Sequence, residues 1–166
     1  SCDILPTDVP GPHHQGDVRD VLGDGWDLMI GHPPCTDLAV SGAAWFESKR
    51  ADGRQQAAID FFMTLYRAPI HRICLENPVG IMSSVFRRPD QIIHPWQFGH
   101  MEQKATCLWL NGLMPLRETN NVRQAMMQLP KRERERLFYM PPSPDRWKLR
   151  SETYQGIADA MAAQWG

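Results

Sequence analysis

A compact apolar run, Trp26-Asp27-Leu28-Met29-Ile30, ends in Gly31-His32-Pro33-Pro34-Cys35, and this junction constrains the fold more than any other stretch. Pro33 and Pro34 carry no backbone N–H and fix their own φ, so neither a helix nor a paired strand continues through them. A short apolar segment bounded in this way reads as a buried strand leading into a stiff loop. The same pattern recurs twice. Residues 70–75 form a second apolar run that ends at Glu76-Asn77-Pro78, and residues 105–110 a third, closed by Asn111-Gly112. Between the first two lies the clearest helix, 54–66, with Ala58, Phe61, Phe62 and Leu65 on one face at offsets of three and four. Strand, helix, strand in that order predicts an α/β fold with a parallel sheet and right-handed crossovers. Ligands in such sheets sit at the carboxyl ends of the strands. Function is therefore expected at His32–Cys35 and at Glu76–Pro78.

The remaining chain divides less sharply. Residues 1–5 read as the end of a short strand stopped by Pro6, and Gly16-Asp17-Val18 as a second short element before Val21-Leu22. Residues 121–140 read as helix in two pieces split at Pro130, followed by a Pro141-Pro142-Ser143-Pro144 loop. A last helix over 152–164 places Tyr154, Ile157, Ala158 and Met161 on one stripe. With 166 residues, 42% hydrophobic and 22% charged, the chain has the size and composition of one globular domain. A net charge of −1 supplies no global pull towards nucleic acid, so any such pull is local. No apolar run is long enough to span a membrane, and the first residues do not read as a signal peptide, so a cytoplasmic protein is expected. Four scattered cysteines without a CxxC pair point to reduced thiols, and His13-His14 lacks the ligand spacing of a metal site.

The two loops carry the chemistry. Two prolines ahead of Cys35 leave its thiol little freedom, and orientation fixed before reaction favours a nucleophile; a free cysteine is also commonly a small buried hydrophobe. Glu76 follows Ile73-Cys74-Leu75 and should emerge near the edge that holds Cys35, where a carboxyl group can donate a proton or simply face solvent.

In order, Gly16-Asp17-Val18, Asp27-Leu28-Met29-Ile30-Gly31-His32-Pro33-Pro34-Cys35 and Leu75-Glu76-Asn77-Pro78 resemble the motif series of cytosine-carbon-5 DNA methyltransferases. The overall look is closest to the short methyltransferase-like proteins that phages encode. The resemblance implies a mostly parallel, Rossmann-like methyltransferase sheet with flanking helices, here lacking its first strand. It makes Cys35 the nucleophile, with Glu76 and Asn77 gripping the base. Cys2-Asp3-Ile4 looks like the motif that binds the ribose and adenine of S-adenosylmethionine, and Asp17 with Val18 like the one that meets the adenine amino group. Pro33 and Gly156, the latter in the closing Thr153–Ala162 motif, would complete the cofactor pocket. The implied reaction is methyl transfer from S-adenosylmethionine to carbon-5 of a cytosine flipped out of DNA, through a covalent cysteine adduct and without a metal.

Three departures accompany the resemblance. The chain has no starting methionine and no glycine-rich first motif, so a missing first strand, lost or supplied by a homo-oligomer or second chain, is expected. The family's Gln-x-Arg-x-Arg motif aligns only loosely with Gln103-Lys104-Ala105-Thr106-Cys107, which leaves Lys104 and Thr106 as stand-ins for its contacts. The segment before the closing motif is too short for a sizeable target-recognition domain. Phosphate contacts are sought in Lys49, Arg50 and Arg54 beyond the Cys35 loop and in Arg146 and Lys148, with Trp147 able to stack on a displaced base. The alternating charges of 131–136 read rather as a solvated helix face. His32 is the nearest candidate base for the thiol, although a loop-capping or surface histidine is the weightier reading. A catalytically inactive DNA- or partner-binding protein of the same fold, or another pyrimidine-modifying enzyme using the same cysteine, remains as an alternative.

Overall fold

A computed structural model describes residues 1–166. The chain is α/β, with a four-stranded mixed sheet, a separate two-stranded ribbon and eight helices. The ribbon pairs β1 (Cys2–Asp3) with β2 (His14–Gln15) in parallel, and it is held further by Gly16 N–H donating to the Asp3 carbonyl. The main sheet contains β3 (Leu28–Gly31), β4 (Arg72–Pro78), β5 (Gln91–Ile93) and β6 (Thr106–Asn111), in the order β3-β4-β6-β5. The β3–β4 pair is parallel, while β6 runs antiparallel to both β4 and β5. Three strands thus point one way and β6 lies reversed between two of them. The mostly parallel sheet expected from the sequence is corrected to a mixed one. The reversal has a local cause: the connection from β5 to β6, residues 94–105, forms only one 3₁₀ turn, Pro95–Gln97, and no helix that would carry the chain back for a parallel crossover.

Alternation along the strands divides the core into two layers. Ile73, Leu75, Cys107 and Trp109 pack with Phe62 and Leu65 of α2 (Arg54–Tyr66). On the opposite face, Cys74, Leu108 and Leu110 pack with Ile157, Ala160, Met161 and Trp165 of α8 (Gln155–Trp165). The indole of Trp109 meets the Phe62 ring edge-on at 5.2 Å, the favoured geometry for an aromatic pair. The 54–66 helix has the bounds that its periodicity predicts.

Other elements differ from expectation. Glu76-Asn77-Pro78 is not a loop: β4 continues through these residues because β6 offers Leu108, Cys107 and Thr106 as partners. The strand at 91–93 carries no signal of its own and is set by pairing with β6. The second element near Gly16 is a 3₁₀ turn, Val18–Asp20, and the 121–140 stretch is three short helices, α4 (Arg123–Gln128), α5 (Lys131–Arg134) and α6 (Arg136–Tyr139). Short helices also form at α1 (Phe46–Ala51), α3 (Met82–Val85) and α7 (Arg146–Ser151). No helix is long and apolar enough to cross a membrane.

Gly80 shows how closely the loops after β3 and β4 approach. It pairs with Ala39 in an isolated bridge, and a β-carbon there would stand 2.3 Å from the Leu38 carbonyl oxygen, a backbone atom with no room to yield. Replacing Gly80 by alanine is expected to cost about 1–3 kcal/mol by overpacking. Gly23→Ala, where an added β-carbon meets nothing within 4 Å, should stay within about 0.5 kcal/mol. Thermal unfolding of the two variants against the wild type checks this; equal losses would contradict the close approach.

Candidate active site

The last β3–β4 pairing is Gly31 with Leu75. Beyond it, Pro33 and Pro34 turn β3 away, while β4 keeps its other partner and carries Glu76, Asn77 and Pro78 onward. One edge of β4 is therefore open where Glu76 stands. Strand parity places Leu28 and Ile30 in the α8-side layer, as it does Cys74. His32 and Glu76 continue those two rows and meet there: His32 Nδ1 lies 3.2 Å from Glu76 Oε2. The histidine side chain is about half exposed, whereas the carboxylate is 16% exposed.

The loop that carries Cys35 is attached to the Glu76 segment on both sides of the thiol. Before it, Asn77 Nδ2 donates to the Pro33 carbonyl at 2.8 Å in a buried setting. After it, Ile81 N–H donates to the Leu38 carbonyl at 2.9 Å and Val40 N–H to the Val79 carbonyl at 3.0 Å. The Cys35 carbonyl itself accepts from Leu38 and Ala39 N–H, closing a tight turn. Of the four cysteines, Cys35 alone is exposed. Burial pushes the Cys74 and Cys107 thiols up, so both stay protonated in the core. Only Cys35 combines access with a constrained backbone.

Burial works against ionisation of Glu76, but the hydrogen bond from His32, the charge of His32 and that of Lys104 together outweigh it, and the carboxyl sits below its ordinary range. Lys104 reaches this end of the sheet because β6 is reversed: its amino end, Thr106, pairs with Pro78, so the residues preceding it lie past the carboxyl end of β4, where the Lys104 charge acts on Glu76. The Lys104 ammonium donates to the Arg150 carbonyl at 3.2 Å and stands 5.7 Å from the centroid of the Tyr154 ring. Tyr154 in turn donates to Glu102 at 2.9 Å, and Arg136 holds the other oxygen of Glu102.

Several residues singled out in the sequence have other roles. Thr106 is 3% exposed within β6, so its hydroxyl cannot contact DNA. Lys49 is 6% exposed and is paired with Asp37, which withdraws it from any phosphate. Arg54 is exposed and paired with Asp52, Lys148 is paired with Asp8, and Arg146 donates to the Met140 carbonyl; Arg50 and Trp147 are exposed. Gly156 is explained by packing: a β-carbon would stand 2.0 Å from the Phe98 carbonyl oxygen. Pro33 is buried at the end of β3. Asp3, Ile4 and Asp17 are brought together by the β1–β2 ribbon, with Ile4 74% exposed and Asp3 Oδ1 accepting from Leu5 N–H. Both Asp17 oxygens are held by Arg19, which draws the carboxyl down to about 2. Sequence reasoning missed the His32–Glu76 pair, whose only signal is the β3–β4 register, and the partners of Lys49.

A surface hollow of about 490 Å³ lies along α4, lined by Asn121, Arg123, Gln124, Met127 and Gln128. It holds neither an acid nor a nucleophile. No group of His, Cys, Asp and Glu is arranged to hold a metal ion. No protein-family model, curated protein or solved structure gives a significant match to the chain.

Because the folded-state pKa of Glu76 is depressed, its ionised form stabilises the fold fully above the unfolded carboxylate value of about 4.3. That stabilisation is lost as pH falls through the lower, folded-state value. The wild type is therefore expected to lose thermal stability more steeply than Glu76→Gln as pH is lowered from 6 towards about 3. Melting temperatures across that range measure the difference; parallel curves would show that Glu76 gains nothing from its partners.

Proposed function

We propose that this chain methylates carbon-5 of cytosine in DNA, with Cys35 as nucleophile and the His32–Glu76 pair as the group that grips the base. One observation carries the proposal: the only exposed thiol lies between an attachment to the strand that presents a histidine-paired carboxylate and attachments to the residues just after that strand. The ordered motifs and the three like-directed strands with helices on both faces support reading the sheet as part of a Rossmann-like methyltransferase fold.

The chemistry follows from the weakness of carbon-5 as a nucleophile. Addition of the Cys35 thiolate to carbon-6 forms a carbon–sulfur bond and moves the ring electrons towards carbon-5 and the ring nitrogen N3. Glu76 accepts a hydrogen bond from the cytosine amino group, and His32, 3.2 Å from the carboxylate, fixes its direction. Lys104 adds positive potential at the same edge. Carbon-5 would take the methyl group of S-adenosylmethionine as its sulfur–methyl bond breaks, releasing S-adenosylhomocysteine; loss of the carbon-5 proton to water then returns the electrons, breaks the carbon–sulfur bond and expels the thiolate. The base must leave its stack to reach Cys35, at a cost of a few kcal/mol.

S-adenosylmethionine supplies the electrophilic methyl group when bound. The residues fit it in part: Asp3 and exposed Ile4 suit ribose hydroxyls and the adenine face, whereas Asp17, with both oxygens on Arg19, offers the cofactor nothing in this arrangement. Phosphate contacts would fall to Arg50, Arg54, Arg146 and Lys148, the last three by exchanging their present partners.

The test is transfer of tritium-labelled methyl groups from S-adenosylmethionine to DNA. Cys35→Ser should abolish transfer, and Glu76→Gln should lower the rate by about 100- to 1,000-fold, the usual loss for one group that stabilises developing charge. DNA carrying 5-fluorocytosine should trap a covalent complex, because carbon-5 then has no proton to lose. Transfer by Cys35→Ser, or no transfer and no trapping by the wild type, would overturn the proposal. DNA binding without either would favour the inactive, DNA-binding alternative.

A further inference from the structure

We propose that Lys49 is a positioning residue whose buried ammonium holds the Cys35 turn in its reactive conformation. The proposal relies on the methyltransferase reading only for its catalytic consequence. Lys49 lies in α1, beyond the nucleophile loop, yet its side chain turns back into that loop. Its ammonium donates to the Thr36 carbonyl, the residue after Cys35, and lies 3.1 Å from Asp37 Oδ1. The Asp37 contact is one of charge, since that oxygen has no aligned hydrogen-bond donor.

Two further features fit a clamp. Gly42 leaves space for the ammonium: a β-carbon there would come within 3.2 Å of Nζ and 3.4 Å of the Thr36 oxygen. Gln55, buried on the first turn of α2, donates to the Asp37 carbonyl at 3.3 Å. Thr36 and Asp37 are thus tied to α1 and α2, while Pro33 and Leu38 on either side are tied to the Glu76 segment. Cys35 stands where these attachments converge.

The energetics favour this role over general stabilisation. Burying an ammonium is expensive, and its ion pair with Asp37 offsets that cost only in part; an apolar side chain of similar volume often stabilises as well. The specific gain available is local order, because Thr36 and Asp37 belong to a turn with no strand or helix ladder of its own. A displacement of about 1 Å at a nucleophile can lower a rate by about 100-fold.

The experiment combines hydrogen–deuterium exchange with steady-state methyl transfer on the full chain, for Lys49→Met and for Gly42→Ala. The second variant keeps the lysine but crowds its ammonium. Both are expected to lose protection by about tenfold or more in the peptide 36–42, with peptides over Phe62–Leu75 unchanged, as local opening requires. Lys49→Met should lower kcat by about 100-fold, with KM for DNA within about twofold of the wild type. Unchanged protection of 36–42 in both variants, or a uniform loss along the chain, overturns the clamp. Local loss with unchanged kcat overturns the positioning role. Local loss in a protein whose wild type transfers no methyl group supports the clamp and removes the methyltransferase reading, so the two failures are distinguishable.

Discussion

The site depends on the point where β3 stops pairing. Pro33 and Pro34 end its ladder one residue before the position that would face Glu76, while β6 sustains β4 for three residues more. A strand with one satisfied edge and one open edge is thereby created inside the sheet. Such an edge normally invites another strand. Here the returning proline loop fills it, bound through Asn77 to Pro33 and through Leu38 and Val40 to the residues after β4. The same device that breaks the sheet presents the thiol.

Reversal of β6 has a comparable double effect. Antiparallel pairing satisfies the outer edge of β4 up to Pro78, which makes Glu76 a strand residue with a fixed direction rather than a mobile loop residue. It also carries the segment preceding Thr106 to the carboxyl ends of β3 and β4, so that Lys104 acts on Glu76 from a distant part of the sequence. A parallel strand in that position would have delivered Asn111 and Gly112 instead. The electrostatics of the site therefore follow from strand direction.

Local grammar in the sequence covers the parts governed by local physics. The 54–66 helix is legible because its apolar spacing matches the face that packs on the sheet, and the β3 strand because prolines bound it. The positions of Cys35 and Glu76 at one edge follow from strand-end logic. The rest depends on pairing, which no short window encodes. Gln91–Ile93 is a strand only because β6 lies beside it, and Glu76–Pro78 stay in the sheet for the same reason. Lys49 shows the clearest limit. In the run Ser48-Lys49-Arg50 it looks like a surface cation, and only the fold of the Cys35 turn around its ammonium reveals a buried one.

Three acidic side chains singled out above each have a basic partner within the fold. Glu76 is held ionised by His32 and Lys104, Asp37 is paired with Lys49, and Asp17 is paired with Arg19. Of these, only the His32–Glu76 pair combines a partly exposed, titratable histidine with a largely buried carboxylate. The others are either sealed under the turn or open to solvent, where a salt bridge contributes little. On the proposed function, a planar base bearing an amino group offers Glu76 a hydrogen-bond donor without adding charge to the pair. A carboxylate ligand would meet Glu76 with like charge, and an aliphatic one would strip its hydration without compensation. On the proposed function, the pair would favour a neutral heteroaromatic donor–acceptor edge over either ligand.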